Sequence, residues 1–430
     1  MVDVEKMAFL DEYRRGERQS IRARVESVTR QHRPFVVFLL FASFVLMCMH
    51  IPNGSRAVQQ APEPVAPAPV MDPAYNKTMA PGNGTLQILP DEAQITRTPR
   101  FAKIAVASGF EDILYERALD THVQHAKKHG YPMYMARENA ADGMFNKIAY
   151  IMDVLLNELY KPAEERVEWL FYFDADSIIM NQEVPLEIFE PPSDFNHINW
   201  MAGKDYNGLN AGVFLLRVNT WSLNLLTRVM TYKHYHPDEE YVFEEQTILA
   251  RLTENDDEFK DQSIYVPKAW FNAYFYSLQE VKPGLLLSHF PHPDYKWHIY
   301  EWLRVLESDK DVNYKPVYNI PVQQTTYPKE IKEFWNAKRR ADKVLKGFER
   351  NVQRGADPIQ FGLQHDETRS LAERFRDKFD ELKKAADQKT DEYEYLERLT
   401  NEAEEINAQL IQNLMAYFET HDNPPPVAGF

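Results

Sequence analysis

Asp174 and Asp176 flank Ala175 immediately after the run WLFYF at 169–173. A run apolar at every position reads as a strand buried on both faces. Carboxylates at its carboxyl end then lie where open α/β sheets bind their ligands. Two such groups one residue apart suit a hard divalent cation held through oxygen, and that cation would in turn bind the oxygens of a diphosphate. The pair Asp309 and Asp311 has the same spacing, but its context, ESDKDVN, is polar and loop-like. A turn or a helix N-cap would also explain Asp174 and Asp176. Desolvating two adjacent carboxylates without a cation is costly, however, which favours the metal reading. Cys48 is the one cysteine in the sequence, excluding an intramolecular disulfide framework, a cysteine zinc site and an iron–sulfur cluster. Any metal must be held by oxygen and imidazole.

The elements that would position this pair follow from periodicity. KIAVAS (103–108), YPMYMA (131–136) and WLFYF (169–173) read as strands. Between them, residues 112–130 and MFNKIAYIMDVLLNELY (144–160) read as helices, closing on Gly130 and before Pro162. The alternation predicts a parallel α/β sheet with right-handed crossovers. Beyond it, residues 200–226 predict a short strand, a Gly/Asn loop, a second strand and a helix starting near Asn219 or Thr220. Phe243 to Leu249 opens another helix with carboxylates in its first turn, and LLLSHF (285–290) is an apolar strand carrying His289.

In order, FNKIAYI, WLFYFDAD, LNAGVFLLRVNTWS, EEQTIL and LLLSHF resemble glycosyltransferase family 34, over roughly residues 103–300. That family comprises fungal Golgi alpha-galactosyltransferases and alpha-mannosyltransferases and is related to plant xyloglucan alpha-xylosyltransferases. The resemblance implies a GT-A, Rossmann-like domain with a mixed, mostly parallel sheet. It implies that Asp174 and Asp176 bind Mn²⁺ and the donor diphosphate, with His289 as the third metal ligand. Lys147, Asn210, Ala211, Gly212 and Lys296 become donor-site residues, and Glu244, Glu245 and Gln246 match a catalytic Asp-Asp-Gln segment, here with Glu for Asp. Each has an ordinary alternative. His289 could simply end a strand, Lys147 could snorkel from a helix face, the glutamates could complement a helix dipole, and Gly212 could serve a turn.

The implied activity is transfer of a hexose, with retention of configuration, from UDP-galactose or GDP-mannose to a glycan acceptor. Retention comes either through a carboxylate nucleophile, with Glu245 or Glu244 the candidate, or by front-face attack. Two rival readings are a glycosyltransferase of another DxD family and a non-catalytic membrane adaptor.

The 430-residue chain has 44% hydrophobic and 27% charged residues, a globular composition. Its net charge of −16 argues against general nucleic-acid binding. Residues 34–51 hold the one long apolar run, preceded by an arginine-rich stretch with few acids, which predicts a transmembrane signal anchor with residues 1–33 cytosolic. Residues 52–98 read as a Pro-rich stem carrying sequons at Asn53, Asn76 and Asn83. This is the layout of a single-pass type II protein, and a Golgi membrane location follows from the resemblance. The catalytic domain is expected at 99–328. Residues 329–430 are expected to form a helical extension, with one long helical pattern from Asp366 to Thr420. A seven-residue stripe through Phe375, Leu382, Leu396 and Leu410 points to packing in cis, a helical hairpin or self-association.

Overall fold

The computed structural model describes residues 85–88, 99–108, 112–274, 283–292, 295–307, 318–387 and 391–421. The expected anchor and cytosolic tail, the three sequons and the Asp309–Asp311 pair lie outside the described residues. Among those described, no helix is long and apolar enough to cross a membrane.

Most of the sheet is built where the apolar runs predict strands, while Thr85–Ile88, within the segment expected as stem, and Ser263–Tyr265 add strands that the pattern does not predict. Strands β1 (Thr85–Ile88), β2 (Phe101–Val106), β3 (Met133–Ala136), β4 (Trp169–Phe173), β6 (Trp200–Asp205), β7 (Gly208–Arg217) and β8 (Ser263–Tyr265) form one sheet in the order β1-β3-β2-β4-β7-β6-β8. Pairing is parallel for β2 with β3, β2 with β4 and β6 with β8, and antiparallel elsewhere. Five strands therefore run one way, while β1 and β7 run against them. The sheet is mixed and mostly parallel, as expected.

Strand β4 shows why WLFYF is apolar throughout. Trp169, Phe171 and Phe173 face one core cluster and Leu170 and Tyr172 the other, following the two-residue alternation of a strand. Helix α1 (Ile113–His129) covers the first face. It is capped at its start by the Asp112 carboxylate, which accepts the Leu114 N–H, and closed by Gly130 at φ 72°. Helices α2 (Phe145–Tyr160), α3 (Thr220–Tyr235) and α4 (Glu244–Asn255) contribute to the opposite face. The Asn219 side chain caps α3. A separate ribbon pairs β5 (Ser177–Ile179) antiparallel with β9 (Leu287–His289), setting His289 opposite Ser177. Helix α5 (Lys296–Glu307) follows it.

The C-terminal region departs from the expected single helical pattern. Helix α6 (Tyr327–Gln353) leads to a short helix α7 (Pro358–Gln364). Then α8 (Asp366–Asp387) and α9 (Tyr393–Thr420) take the place of one long element. Phe375, Leu382, Leu396, Ala403 and Leu410 are buried together with Phe379, Leu414 and Ala341 of α6. The stripe is thus buried by packing in cis. Helix α6 bridges this cluster and the sheet's core: Phe334 and Trp335 enter the latter, and the Tyr327 hydroxyl donates to the Trp270 carbonyl at 2.8 Å.

Lys338 lies on α6 with its ammonium 5.4 Å from the Phe334 ring centre, and burial lowers its pKa to about 8. In the unfolded chain it stays protonated to about pH 10.4. Unfolding therefore takes up a proton between those values, and its contribution makes stability rise with pH across that window. The unfolding temperature of Lys338→Met should exceed that of the wild type most at pH 7, with the gap narrowing toward pH 10. Thermal melts of both proteins at several pH values check this.

Candidate active site

The carboxyl ends of β2 and β4, the β6–β7 hairpin, the start of α4 and the end of β9 surround a cavity of about 770 Å³. Its wall includes Lys147, Asp174, Asp176, Asn210, Gly212, Glu244, Glu245, Gln246 and His289. Most residues singled out from the sequence are therefore brought together.

Backbone pairing accounts for the metal triad. Val213 of β7 lies opposite Phe173, and the Asp174 N–H donates to the Gly212 carbonyl at 2.8 Å. The turn is held from below by the Ser177 hydroxyl, which donates to the Asp174 carbonyl at 2.6 Å. Opposite it, the Phe290 N–H donates to the Asp176 carbonyl at 2.9 Å, delivering His289 beside both aspartates. Single ligand atoms from Asp174, Asp176 and His289 lie within 4.8 Å of one another. Gly212 leaves the room for the imidazole: a Cβ there would stand 2.1 Å from His289 Cε1.

The electrostatics favour a cation. His289 Nε2 and Asp176 Oδ1 stand 3.2 Å apart. Both atoms are buried, yet neither has a hydrogen-bond partner. His289 Nδ1 is 2.8 Å from Asn272 Oδ1, so Nδ1 carries a proton, and in the neutral ring Nε2 turns its lone pair toward the carboxylate. Two facing lone pairs repel unless a proton or a metal cation lies between them, and an imidazole nitrogen with two carboxylates is a donor set suited to a divalent ion. The residues present fit a divalent metal.

Lys147, 4% exposed, organises the next ring of charge. Its ammonium meets Glu245 Oε1 at 2.8 Å and Asp174 Oδ1 at 3.8 Å, and donates to the Ala211 carbonyl at 3.1 Å. Burial opposes its charge, but Asp174 and Glu245 outweigh burial and raise its pKa. Burial also raises the pKa of Asp174 and of Glu245, with Lys147 pulling both back. The Tyr172 hydroxyl donates to Asp174 Oδ1 at 2.6 Å. Glu245 is 2% exposed, and its second oxygen is buried without a partner.

The other expected residues divide. Gln246 Oε1 accepts the Ala211 N–H at 2.8 Å, tying α4 to β7. Glu244 sits at φ 45°, an unusual backbone for a side-chain-bearing residue, and its carboxylate accepts the Met144 N–H at 3.2 Å. Asn210 turns its side chain into a buried polar network. Lys296 stands apart from the cavity wall: its ammonium pairs with Asp112, the cap of α1. Asn272, fully buried between Phe271 and Ala273, was not read from the sequence. Its one signal there is a lone amide inside the aromatic run WFNAYF.

Residues 192–302 match the galactosyl transferase GMA12/MNN10 family, in accord with the resemblance carried by the ordered motifs. The match includes Asn210, Glu245 and His289, whereas Lys147 and the two aspartates precede it. A curated Arabidopsis thaliana protein, glycosyltransferase 6, is 25% identical over 185 residues, covering 38% of this chain and 41% of that protein. Xyloglucan 6-xylosyltransferase 4, also from Arabidopsis thaliana, is 27% identical over 124 residues, covering 26% and 22%. The chain thus spans less than half the length of these curated relatives. One solved structure, a glycosyltransferase involved in the glycosylation of the major capsid of PBCV-1, is 16% identical with a TM-score of 0.39, covering 47% of this chain and 100% of that one. The apo-form glycosyltransferase GlyE of Streptococcus pneumoniae TIGR4 is 14% identical with a TM-score of 0.35, covering 48% and 60%.

Gly212→Ala should displace the His289 ring and lower any divalent-cation affinity of the site by roughly 10–100-fold, the range seen when a ligand loses its support. Calorimetric titration with Mn²⁺, beside circular dichroism to show a retained fold, checks this.

Proposed function

We propose, taking the segment matched at 192–302 and the charge cluster beside it as premise, that this chain transfers a hexose from a nucleotide-diphosphate sugar to a hydroxyl of a glycan acceptor. The observation that carries the reading is the facing, unpartnered pair of His289 Nε2 and Asp176 Oδ1 within a cavity that also presents Asp174, Lys147 and Glu245. In this reading a divalent cation, Mn²⁺, is held by Asp174, Asp176 and His289 and supplies Lewis-acid stabilisation of the diphosphate leaving group.

The chain's own groups do the rest. Lys147 opposes the burial that raises the pKa of Asp174 and Glu245, favouring the charged forms of both when donor binds. Glu245 offers its unpaired oxygen to the anomeric carbon as positive charge develops there, in keeping with retention of configuration. Gln246 fixes the Ala211–Gly212 backbone against the site through the Ala211 N–H. The donor in this proposal is UDP-galactose or GDP-mannose. The xylose in one relative's name makes UDP-xylose the natural comparison. We further place the enzyme in the Golgi membrane as a single-pass type II protein of GT-A type. The arginine-rich segment, the apolar run and the Pro-rich stretch with its sequons support that layout.

The purified full-length protein, incubated with each sugar nucleotide, Mn²⁺ and mannose-containing acceptors, should release nucleoside diphosphate and elongate acceptor with one of the hexose donors. Asp174→Asn and Asp176→Asn should each reduce that rate by on the order of a hundredfold or more, the loss expected when charge stabilisation at a leaving group is removed. Rates near wild type in both variants would set the proposal aside.

A further inference from the structure

The polarity of His289 is set from a distance, and the setting can be followed atom by atom. Asp205 supplies one fixed end, because a carboxylate only accepts. Its Oδ2 takes hydrogen bonds from Asn210 Nδ2 at 3.2 Å and from the Tyr274 hydroxyl at 2.7 Å. The Asn210 amide group is thereby turned toward Asp205, leaving Asn210 Oδ1 facing the other way. A second fixed end confirms that orientation: the Gly212 backbone N–H, which can only donate, reaches Asn210 Oδ1 at 3.0 Å. The same oxygen accepts from Asn272 Nδ2 at 2.8 Å. Asn272 must then present Oδ1 to His289 Nδ1, also at 2.8 Å. Asn272 is fully buried, His289 1% exposed and Asn210 6% exposed, so water has little access to substitute for any link.

We propose that Asp205, Asn210 and Asn272 form a one-way relay that holds His289 in its Nδ1–H form and aims the Nε2 lone pair at the cation site. Asn272 is the positioning residue in contact with the imidazole. The inference rests on the metal reading above and extends it to residues that do not touch the cation. It also explains an amide in the middle of the aromatic run. An apolar side chain of similar size would pack there, but it would leave Nδ1 without an acceptor and free the ring to rotate or exchange its proton between nitrogens.

Nitrogen-15 spectra of histidine-labelled, metal-free full-length protein decide the tautomer. The imidazole signal that disappears in His289→Gln should show a protonated Nδ1; a bare Nδ1 in the wild type overturns the relay. Mn²⁺ titration followed by electron paramagnetic resonance supplies the second readout. Asn272→Leu should weaken Mn²⁺ binding roughly 10–100-fold. Asn272→Asp, which keeps an acceptor against Nδ1 but loses the donor to Asn210 Oδ1, should weaken binding less than Asn272→Leu. Equal losses in the two variants, or no loss in Asn272→Leu, overturn the positioning role. Should the wild type itself fail to bind Mn²⁺, the metal reading falls, while the nitrogen spectrum still decides whether the relay sets the tautomer.

Discussion

Negative charge concentrated at the end of a buried strand is the constraint around which this site is arranged. Asp174, Asp176 and Glu245 bring three carboxylates together with one ammonium, Lys147, and an imidazole whose proton points away from them. With the imidazole neutral, the three ionised carboxylates and Lys147 carry two net negative charges, matching a divalent cation. Burial alone pushes Asp174 and Glu245 toward their neutral forms, and Lys147 only partly reverses that push. A divalent ion would complete the balance, so the same interaction that would serve a departing diphosphate would also stabilise the folded site.

Every structural element near the cavity serves this arrangement. Strand β4 is anchored in the core on both faces, so the turn that follows it is rigid. The neighbouring β7 contributes Gly212, whose missing side chain admits the imidazole. The β5–β9 ribbon adds His289 from more than a hundred residues away in sequence. Lys147 reaches in from α2, and Glu245 from the first turn of α4. The C-terminal helices reach the same body through α6, whose Tyr327, Phe334 and Trp335 are part of the sheet's core. Their apolar stripe is spent on intramolecular packing.

Much of this was legible in the residues. The βαβαβ alternation, the wholly apolar fourth strand and the aspartates at its end all follow from periodicity, and the cap at Asn219 from residue type. Strand-end chemistry is readable because a buried strand leaves its terminal polar residues one exit. What stayed hidden depends on side-chain direction. Lys296 lies close in sequence to His289, but it begins α5 and turns to Asp112. Asn272 gave no periodic signal, because its role comes from partners at 205, 210 and 289 that only the fold assembles. The long pattern from Asp366 read as one element because both halves share a heptad stripe, although Asp366–Asp387 and Tyr393–Thr420 are separate helices.

Anomalous diffraction at the manganese absorption edge, from crystals of the protein grown with Mn²⁺ and a nucleoside diphosphate, tests the central claim most directly. The account predicts one strong peak within bonding distance of Asp174, Asp176 and His289 Nε2, with the diphosphate completing its shell. A cavity holding nucleotide with no peak among those three side chains, or a peak bound elsewhere, would contradict it.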